Sequence, residues 1–333
     1  MSFVLSIHNS YFFVKNSNEI VTLNSKKGNE SDMINGYKIR TDLALEARES
    51  VGEANSEMRG VEIEESYSEK AEVKMTKVII HTKNAARDLG KPMGTYITLE
   101  APAMLEADED YHREISEIMA KQLESIIPNS QNEQAVLVVG LGNREVTADA
   151  LGPGVVDNLF ITRHVILEYG KAAYNRTKMN LVSSIVPGVM ASTGMETAEI
   201  VKGVVEQTKP DVVIVIDALA ARSTKRLNRT IQITNTGIHP GSGVGNHRNA
   251  LTEESLGVPV IAIGVPTVVD AATIVSDALE KVPYSGEEPK VFAELNNMYV
   301  TSKDIDATIK RLSYMISEAI NIALDGEFEE DKV

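Results

Sequence analysis

The fold of this chain is decided by two apolar stretches, Ala135-Val-Leu-Val-Val139 and Val212-Val-Ile-Val-Ile216. Each is rich in β-branched side chains and contains no polar residue, which is typical of a strand buried on both faces of a parallel sheet. Asp149 follows the first stretch after a glycine-rich turn, and Asp217 follows the second directly. Because reacting groups gather at the carboxyl ends of parallel strands, both aspartates are in the region where a site is expected.

The rest of the chain alternates short β-branched runs with amphipathic stretches. This pattern predicts an α/β fold, a mostly parallel twisted sheet flanked by helices. Five further strands are predicted at residues 77–81, 95–99, 181–186, 230–234 and 259–264. Apolar residues at helical spacing predict helices at residues 110–127, 196–208 and 304–324.

Composition excludes several classes of function. The 333 residues contain no cysteine, so a disulfide framework, a thiolate zinc site and a cysteine nucleophile are all excluded. The formal net charge of -15 repels phosphate backbones, and no run of basic residues offsets it, so we expect no direct nucleic-acid binding. The apolar stretch at residues 3–14 is too short to span a bilayer, so we expect no membrane association and a cytoplasmic location.

Two glycine-rich segments raise the alternative of a non-enzymatic nucleotide- or phosphate-binding module. Gly140-Leu-Gly142 supplies two glycines of a dinucleotide fingerprint, but Glu145 stands where the third is required. The segment 240–246 lacks the Lys and Ser/Thr that complete a P-loop. We therefore predict no cofactor and interpret these glycines as tight turns whose backbone lies close to a site or a subunit interface.

The remaining polar residues favour acid chemistry. The six histidines show no metal-ligand spacing, so no metal site is predicted, and Ser183, Ser184 and Ser223 lie outside any Gly-x-Ser-x-Gly elbow. If Asp149 and Asp217 face each other, one carboxyl holds a proton while the other activates water. The alternative for either aspartate is the capping of a helix.

The stretches around these aspartates, together with residues 187–194, 236–246 and 257–272, closely resemble the germination (spore) protease family, from about Tyr37 to Leu324. The resemblance implies an endopeptidase that degrades small acid-soluble spore proteins in the forespore and spore core. It implies a homotetramer, a fold similar to hydrogenase-maturation peptidases, and Asp149 and Asp217 as the catalytic pair. The nickel-ligating histidine expected of those peptidases has no match, so metal dependence is not carried over; a metal-sensing maturation peptidase stays as an alternative.

The family is also made as a zymogen, which implies a processing site near the N-terminus. Arg40-Thr-Asp42-Leu43-Ala44 offers an acid, then a large aliphatic residue and then alanine; with Leu, Ile or Val in the middle, this triplet is found nowhere else in the chain. We expect cleavage between Asp42 and Leu43, after an acidic and before an aliphatic residue; the alternative is that Asp42 begins a helix running through Glu46.

The predicted organisation follows from this processing site. Residues 1–42 form an N-terminal extension and propeptide, of which 1–32 differ in composition and are interpreted as an artefact of start-codon annotation. Residues 43–325 form a single catalytic domain, and 326–333 an acidic tail. A pocket for an acidic side chain needs a cation. Arg222 is the first candidate, with Arg163 and His164 as others, although an arginine so placed also suits a structural ion pair.

Overall fold

The computed structural model describes residues 33–34, 37–38, 43, 46, 59–106, 108–174, 179–239, 249–280, 295 and 298–325. The segments interpreted as an annotation artefact (1–32) and as an acidic tail (326–333) lie outside these residues. The strands are β1 (Met33–Ile34), β2 (Tyr37–Lys38), β3 (Val61–Ser68), β4 (Val73–Ile80), β5 (Gly94–Glu100), β6 (Ala135–Gly140), β7 (Leu181–Ile185), β8 (Val212–Ala221), β9 (Thr230–Thr234), β10 (Val260–Asp270) and β11 (Tyr299–Val300).

The helices of the described part vary from one turn to 21 residues. They are α1 (Lys83–Leu89), α2 (Glu109–Ile126), α3 (Leu151–Val156), α4 (Arg163–Tyr169), α5 (Met190–Thr193), α6 (Thr197–Thr208), α7 (Glu253–Leu256), α8 (Ala271–Glu280) and α9 (Ile305–Asp325). Among the helices described, none has the length and apolar character needed to cross a membrane.

Nine of the strands form one sheet in the order β3-β4-β5-β9-β10-β8-β6-β7, with β11 paired to β10. The predicted α/β sheet flanked by helices is confirmed. Its pairing is mixed: β10, β8, β6 and β7 are parallel, whereas β3, β4, β5 and β9 pair antiparallel with their neighbours. β3 and β4 are joined by a short hairpin, which requires antiparallel pairing, whereas the parallel neighbours β6 and β7 need a longer crossover, here one that contains α3 and α4.

Two hydrophobic layers enclose the parallel half. Successive side chains of a strand point to opposite faces. Ile214 and Ile216 pack in the layer that contains the apolar side chains of α2 and α9, and Val213 and Val215 pack in the layer that contains those of α6. Complete burial of each such side chain contributes about 1.5–3 kcal/mol. Asp217, two residues after Val215, therefore lies on the α6 face.

All seven predicted strands are present, but several are longer than predicted, and β4 already begins at Val73. β8 continues to Ala221 and β10 to Asp270, where the two strands still pair with each other. Asp217 is therefore inside β8 and not beyond its end. β3 was not predicted, because this edge strand is mostly exposed and rich in glutamate.

Candidate active site

A cleft of about 510 Å³ is lined by both aspartates that the sequence singled out. Asp217 comes from β8, and Asp149 comes from a 3₁₀ turn in the segment between β6 and α3. Further residues of the wall belong to β5, β9 and β10, so the cleft extends over both halves of the sheet. The structure thus places Asp149 and Asp217 in the wall of one cleft, although Asp217 lies within β8 and not, as the sequence predicted, just past its end.

The position of Asp217 follows from strand register. The parallel pairing of β8 with β10 sets Asp217 beside Gly264, and the antiparallel pairing of β10 with β9 sets Gly264 beside Gln232. Asp217 and Gln232 are both nearly buried, at 7% and 8% exposure, and both line the cleft. The backbone N–H of Ala218 donates a hydrogen bond to Oδ1 of Asp217 at 2.9 Å. Gln232 is a site residue that sequence analysis missed, because nothing in a single sequence reveals cross-strand register.

Backbone hydrogen bonds hold the turn that carries Asp149. The N–H of Asn143 donates to the carbonyl of Asp149 at 3.1 Å, and the N–H of Leu141 donates to the carbonyl of Ile216 at 2.8 Å. The hydroxyl of Thr267 donates to the carbonyl of Ala148 at 2.6 Å. The turn is therefore tied to β10 directly and, through Leu141, to the residue preceding Asp217.

Glycines allow the backbone to approach this closely. Gly142 has φ 112°, and a Cβ added there would lie 1.9 Å from the carbonyl oxygen of Asp149. A Cβ added to Gly140 would lie 2.3 Å from the carbonyl oxygen of Gly152. Gly142 fits the predicted tight turn, whereas Gly140 is the last residue of β6 and allows close approach of the α3 backbone. The second glycine-rich segment, 240–246, lies outside the described residues.

The capping alternative is wrong for Asp217, and Asp149 does not occupy the N-cap position of α3. The N-cap of α3 is Ala150, which forms no side-chain capping bond, and Asp217 lies within a strand. Two of the serines have structural contacts: Ser183 donates its hydroxyl to the carbonyl of Val136 at 3.3 Å, and Ser223 caps a 3₁₀ turn by accepting from Lys225. In the described part of the chain, no group of three or more His, Cys, Asp or Glu residues is arranged to hold a metal ion.

The three residues predicted to bind substrate do not line the cleft. Arg163 and His164 begin α4, which contacts β7 at the far edge of the sheet. Arg222 directly follows β8, where its backbone N–H donates to Glu46. Among the described residues of the cleft wall, the basic ones are Lys91 and His239.

The residues that follow the predicted processing bond are anchored beside the cleft. Leu43 is fully buried against Leu219, Ala221 and Val269, and Leu219 also lines the cleft. Asp42 lies outside the described residues. Because Leu43 contacts the strand that carries Asp217, the segment after the predicted cut borders the site.

Glu46 provides a second anchor for this segment. It is helical, only 2% exposed, and accepts hydrogen bonds from the backbone N–H groups of Arg222 at 2.9 Å and Ser223 at 3.2 Å. The guanidinium of Arg226 lies 3.3 Å from the same carboxylate and also contacts Glu100. These donors compensate for the desolvation of a buried charge.

One tyrosine of the cleft has a strongly shifted pKa. Burial raises the pKa of the Tyr96 hydroxyl to about 12, although a hydrogen bond with Thr236 acts in the opposite direction. The hydroxyl donates to the carbonyl of Pro92 at 2.8 Å. Tyr96 is therefore neutral over the physiological pH range, and it lines the cleft as a neutral hydrogen-bonding residue.

The sequence is similar to known proteins over most of its length. A family model described as germination protease matches residues 39–286. A germination protease of Caldanaerobacter subterraneus subsp. tengcongensis is 46% identical over 320 residues, which cover 89% of this chain and 97% of that protein. One from Clostridium perfringens is 44% identical over 314 residues, covering 86% of this chain and 95% of that protein.

A solved structure also shows similarity, at a lower level. A NiFe hydrogenase maturation protease from Thermococcus kodakarensis is 19% identical, with a TM-score of 0.31. The matched region covers 60% of this chain and 98% of the other.

Proposed function

We propose, from the premise that this chain belongs to the germination protease family and is an endopeptidase of spore germination, that Asp149 and Asp217 are its catalytic pair. The observation that carries the proposal is that both carboxylates line one cleft. The hydrogen bond from Leu141 to Ile216 further connects the segments that bear them.

Two carboxyl groups in one cleft supply both a general acid and a general base. One, protonated, donates to the carbonyl oxygen of the peptide bond, while the other accepts a proton from water. The water oxygen adds to the carbonyl carbon to give a tetrahedral intermediate. The C–N bond then breaks, and a carboxyl proton is transferred to the leaving amine. These steps consume one water molecule and need no covalent intermediate with the enzyme.

The proposed substrates are small acid-soluble spore proteins, cut after Glu or Asp and before an aliphatic residue. We propose that the reaction takes place in the forespore and spore core and that the enzyme is a homotetramer. The support for the specificity is the chain's own Asp42-Leu43-Ala44 sequence, together with membership of the family.

Self-processing after Asp42 is the remaining part of the proposal. Leu43 and Glu46 are buried on the core, so a cut between Asp42 and Leu43 removes the preceding residues and leaves the anchored ones in place. A new N-terminus at Leu43, detected by mass spectrometry in the parent and absent from Asp149→Asn, supports this. A fully active protein that still begins upstream of Leu43 contradicts it.

Substitution of the aspartates tests the catalytic assignment. Asp149→Asn and Asp217→Asn keep side-chain shape but cannot exchange a proton, so each is expected to lower cleavage of a peptide of residues 36–47 by at least about 10²-fold, the scale of lost general acid–base catalysis. The matched control is Asp88→Asn, an exposed aspartate of α1 whose recorded partner is Arg87. Unfolding in urea shows whether each variant is folded. Near-parental activity in a folded Asp149→Asn or Asp217→Asn removes that residue from the pair.

A further inference from the structure

We propose that Lys91 binds the acidic side chain of the substrate residue that precedes the cleaved bond. The proposal rests on the endopeptidase function argued above and assigns its specificity to a residue that sequence analysis did not select. Lys91 lines the cleft together with Asp149 and Asp217.

The charges of the cleft require such a cation. Its described wall carries the carboxylates of Asp149 and Asp217, and the chain has a formal net charge of -15. An entering acidic side chain meets repulsion from both sources, so selection for it needs a nearby positive group. Lys91 is partly buried, whereas His239, the other basic residue of the described wall, is exposed. Solvent screens a charge less at a partly buried residue than at an exposed one, which favours Lys91 over His239 as the partner of a carboxylate.

The backbone of Lys91 is fixed on both sides. α1 ends at Gly90, which has a left-handed φ of 64°, and the N–H of Lys91 then donates to the carbonyl of Ala86 at 3.0 Å. This is a glycine C-cap, in which the residue after the glycine closes the last turn. On the other side, the carbonyl of Pro92 accepts from the hydroxyl of Tyr96. The backbone that carries Lys91 is therefore ordered before the substrate binds, which lowers the entropic cost of binding.

The loop of Lys91 leads into β5, which is joined to the neighbouring strand β9. The N–H of Thr95 donates to the side-chain oxygen of Asn235 at 2.8 Å, and Tyr96 pairs with Thr234 across β5 and β9. Two strands, β9 and β10, separate β5 from β8. With about 4.8 Å per strand, β5 and β8 are about 14 Å apart, and the cleft that Lys91, Asp149 and Asp217 all line extends across this part of the sheet.

The test compares a peptide of residues 36–47, which contains Asp42, with the same peptide carrying Asp42→Asn. In the parent, cleavage of the Asp peptide is expected to exceed that of the Asn peptide in kcat/KM. Lys91→Met is expected to reduce this ratio about 10- to 100-fold, the effect of losing a hydrogen bond to a charged group, while Lys91→Arg retains it. The matched control is Lys83→Met at the exposed start of α1, which leaves the ratio unchanged.

A binding measurement keeps the proposal testable apart from catalysis. In an Asp217→Asn background, fluorescence anisotropy of the labelled peptides is expected to show that Lys91→Met weakens binding of the Asp peptide and not of the Asn peptide. Equal weakening of both, or a ratio unchanged in Lys91→Met, overturns the assignment. A ratio that falls in Arg222→Met instead also overturns it. If the parent cleaves neither peptide, the proposed function fails, and the binding result still decides the role of Lys91.

Discussion

Gly152→Ala is expected to disrupt the site through one added methyl group. Gly152 is the second residue of α3, and a Cβ there would lie 2.4 Å from the carbonyl oxygen of Leu141, 2.6 Å from its nitrogen and 2.7 Å from the carbonyl oxygen of Ile216. All three are backbone atoms, so no side-chain rotation relieves the contacts. Two of them form the Leu141–Ile216 hydrogen bond that ties the Asp149 segment to β8.

The size of the effect follows from these distances. A carbon atom stays about 3.5 Å from a non-bonded heavy atom, so the backbone at residue 152 must move about 1 Å away from the backbone of Leu141 and Ile216. Overpacking of this kind costs about 1–3 kcal/mol, and loss of the hydrogen bond adds about 1 kcal/mol. We therefore expect Gly152→Ala to lower the free energy of unfolding by about 2–4 kcal/mol. Because the displaced segments carry the proposed catalytic pair, a 1 Å shift is expected to lower peptide cleavage by about 10²-fold.

The matched control is Gly203→Ala in the exposed middle of α6, where an added Cβ meets nothing within 4 Å. The same substitution there is expected to raise stability by about 0.5–1 kcal/mol, because alanine loses less backbone freedom on folding than glycine does. Equilibrium unfolding in urea and cleavage of the peptide of residues 36–47 measure both quantities. A Gly152→Ala protein that matches the parent in stability and activity refutes the close packing on which this reasoning depends.

Two further predictions concern charged groups near the site. Glu46→Gln removes the charge of a carboxylate that makes three contacts, so it is expected to lower the free energy of unfolding by about 1.5–3 kcal/mol and to hasten the appearance of Leu43 as the N-terminus in mass spectra. The control Glu64→Gln, at an exposed ion pair, is expected to change stability by under about 1 kcal/mol. Slower processing in Glu46→Gln contradicts the prediction. Hydrogen bonds from Arg144 at 2.5 and 2.8 Å lower the pKa of Asp157 below its ordinary value of 3.8. The stabilisation from this ion pair is therefore present above pH 3.8 and is lost as pH falls through the lower pKa of the folded state. Arg144→Gln is therefore expected to lower stability to urea by under about 1 kcal/mol at pH 7, since the pair is half-exposed, and to have less effect as pH falls through the lowered pKa of Asp157. A difference that does not depend on pH contradicts this.

The apolar strands could be predicted from sequence because their signal is local. A strand buried on both faces must be apolar at every position, and Val212-Val-Ile-Val-Ile216 meets this condition without reference to the rest of the chain. The same reasoning fails beyond Ile216, because Ala218 to Ala221 have low strand propensity and are held in β8 by pairing with β10. The edge strand β3 could not be predicted for a different reason: its exposed glutamates give no apolar pattern.

The residues of the candidate site also differ in whether the sequence alone predicts them. Asp149 and Asp217 could be found because each follows its own apolar run, whereas Lys91 and Gln232 belong to the antiparallel half and reach the cleft through strand pairing. Arg222 was selected because it is near Asp217 in sequence. That criterion is weak in a strand, where each residue advances about 3.3 Å along the sheet and five residues carry the chain some 16 Å away.

The length of β8 links the proposed processing step to the proposed catalysis. Asp217, Leu219 and Ala221 are alternate residues of one strand and share a face. Asp217 and Leu219 line the cleft, while Leu219 and Ala221 pack on Leu43, so Leu219 belongs to both surfaces. Packed apolar contacts tolerate little change in volume, and a shift of Leu43 is therefore transmitted to the cleft wall. Because the proposed cut is immediately before Leu43, removal of the preceding residues acts on the residue that contacts the strand of Asp217, which gives the zymogen proposal a physical route from the N-terminus to the site.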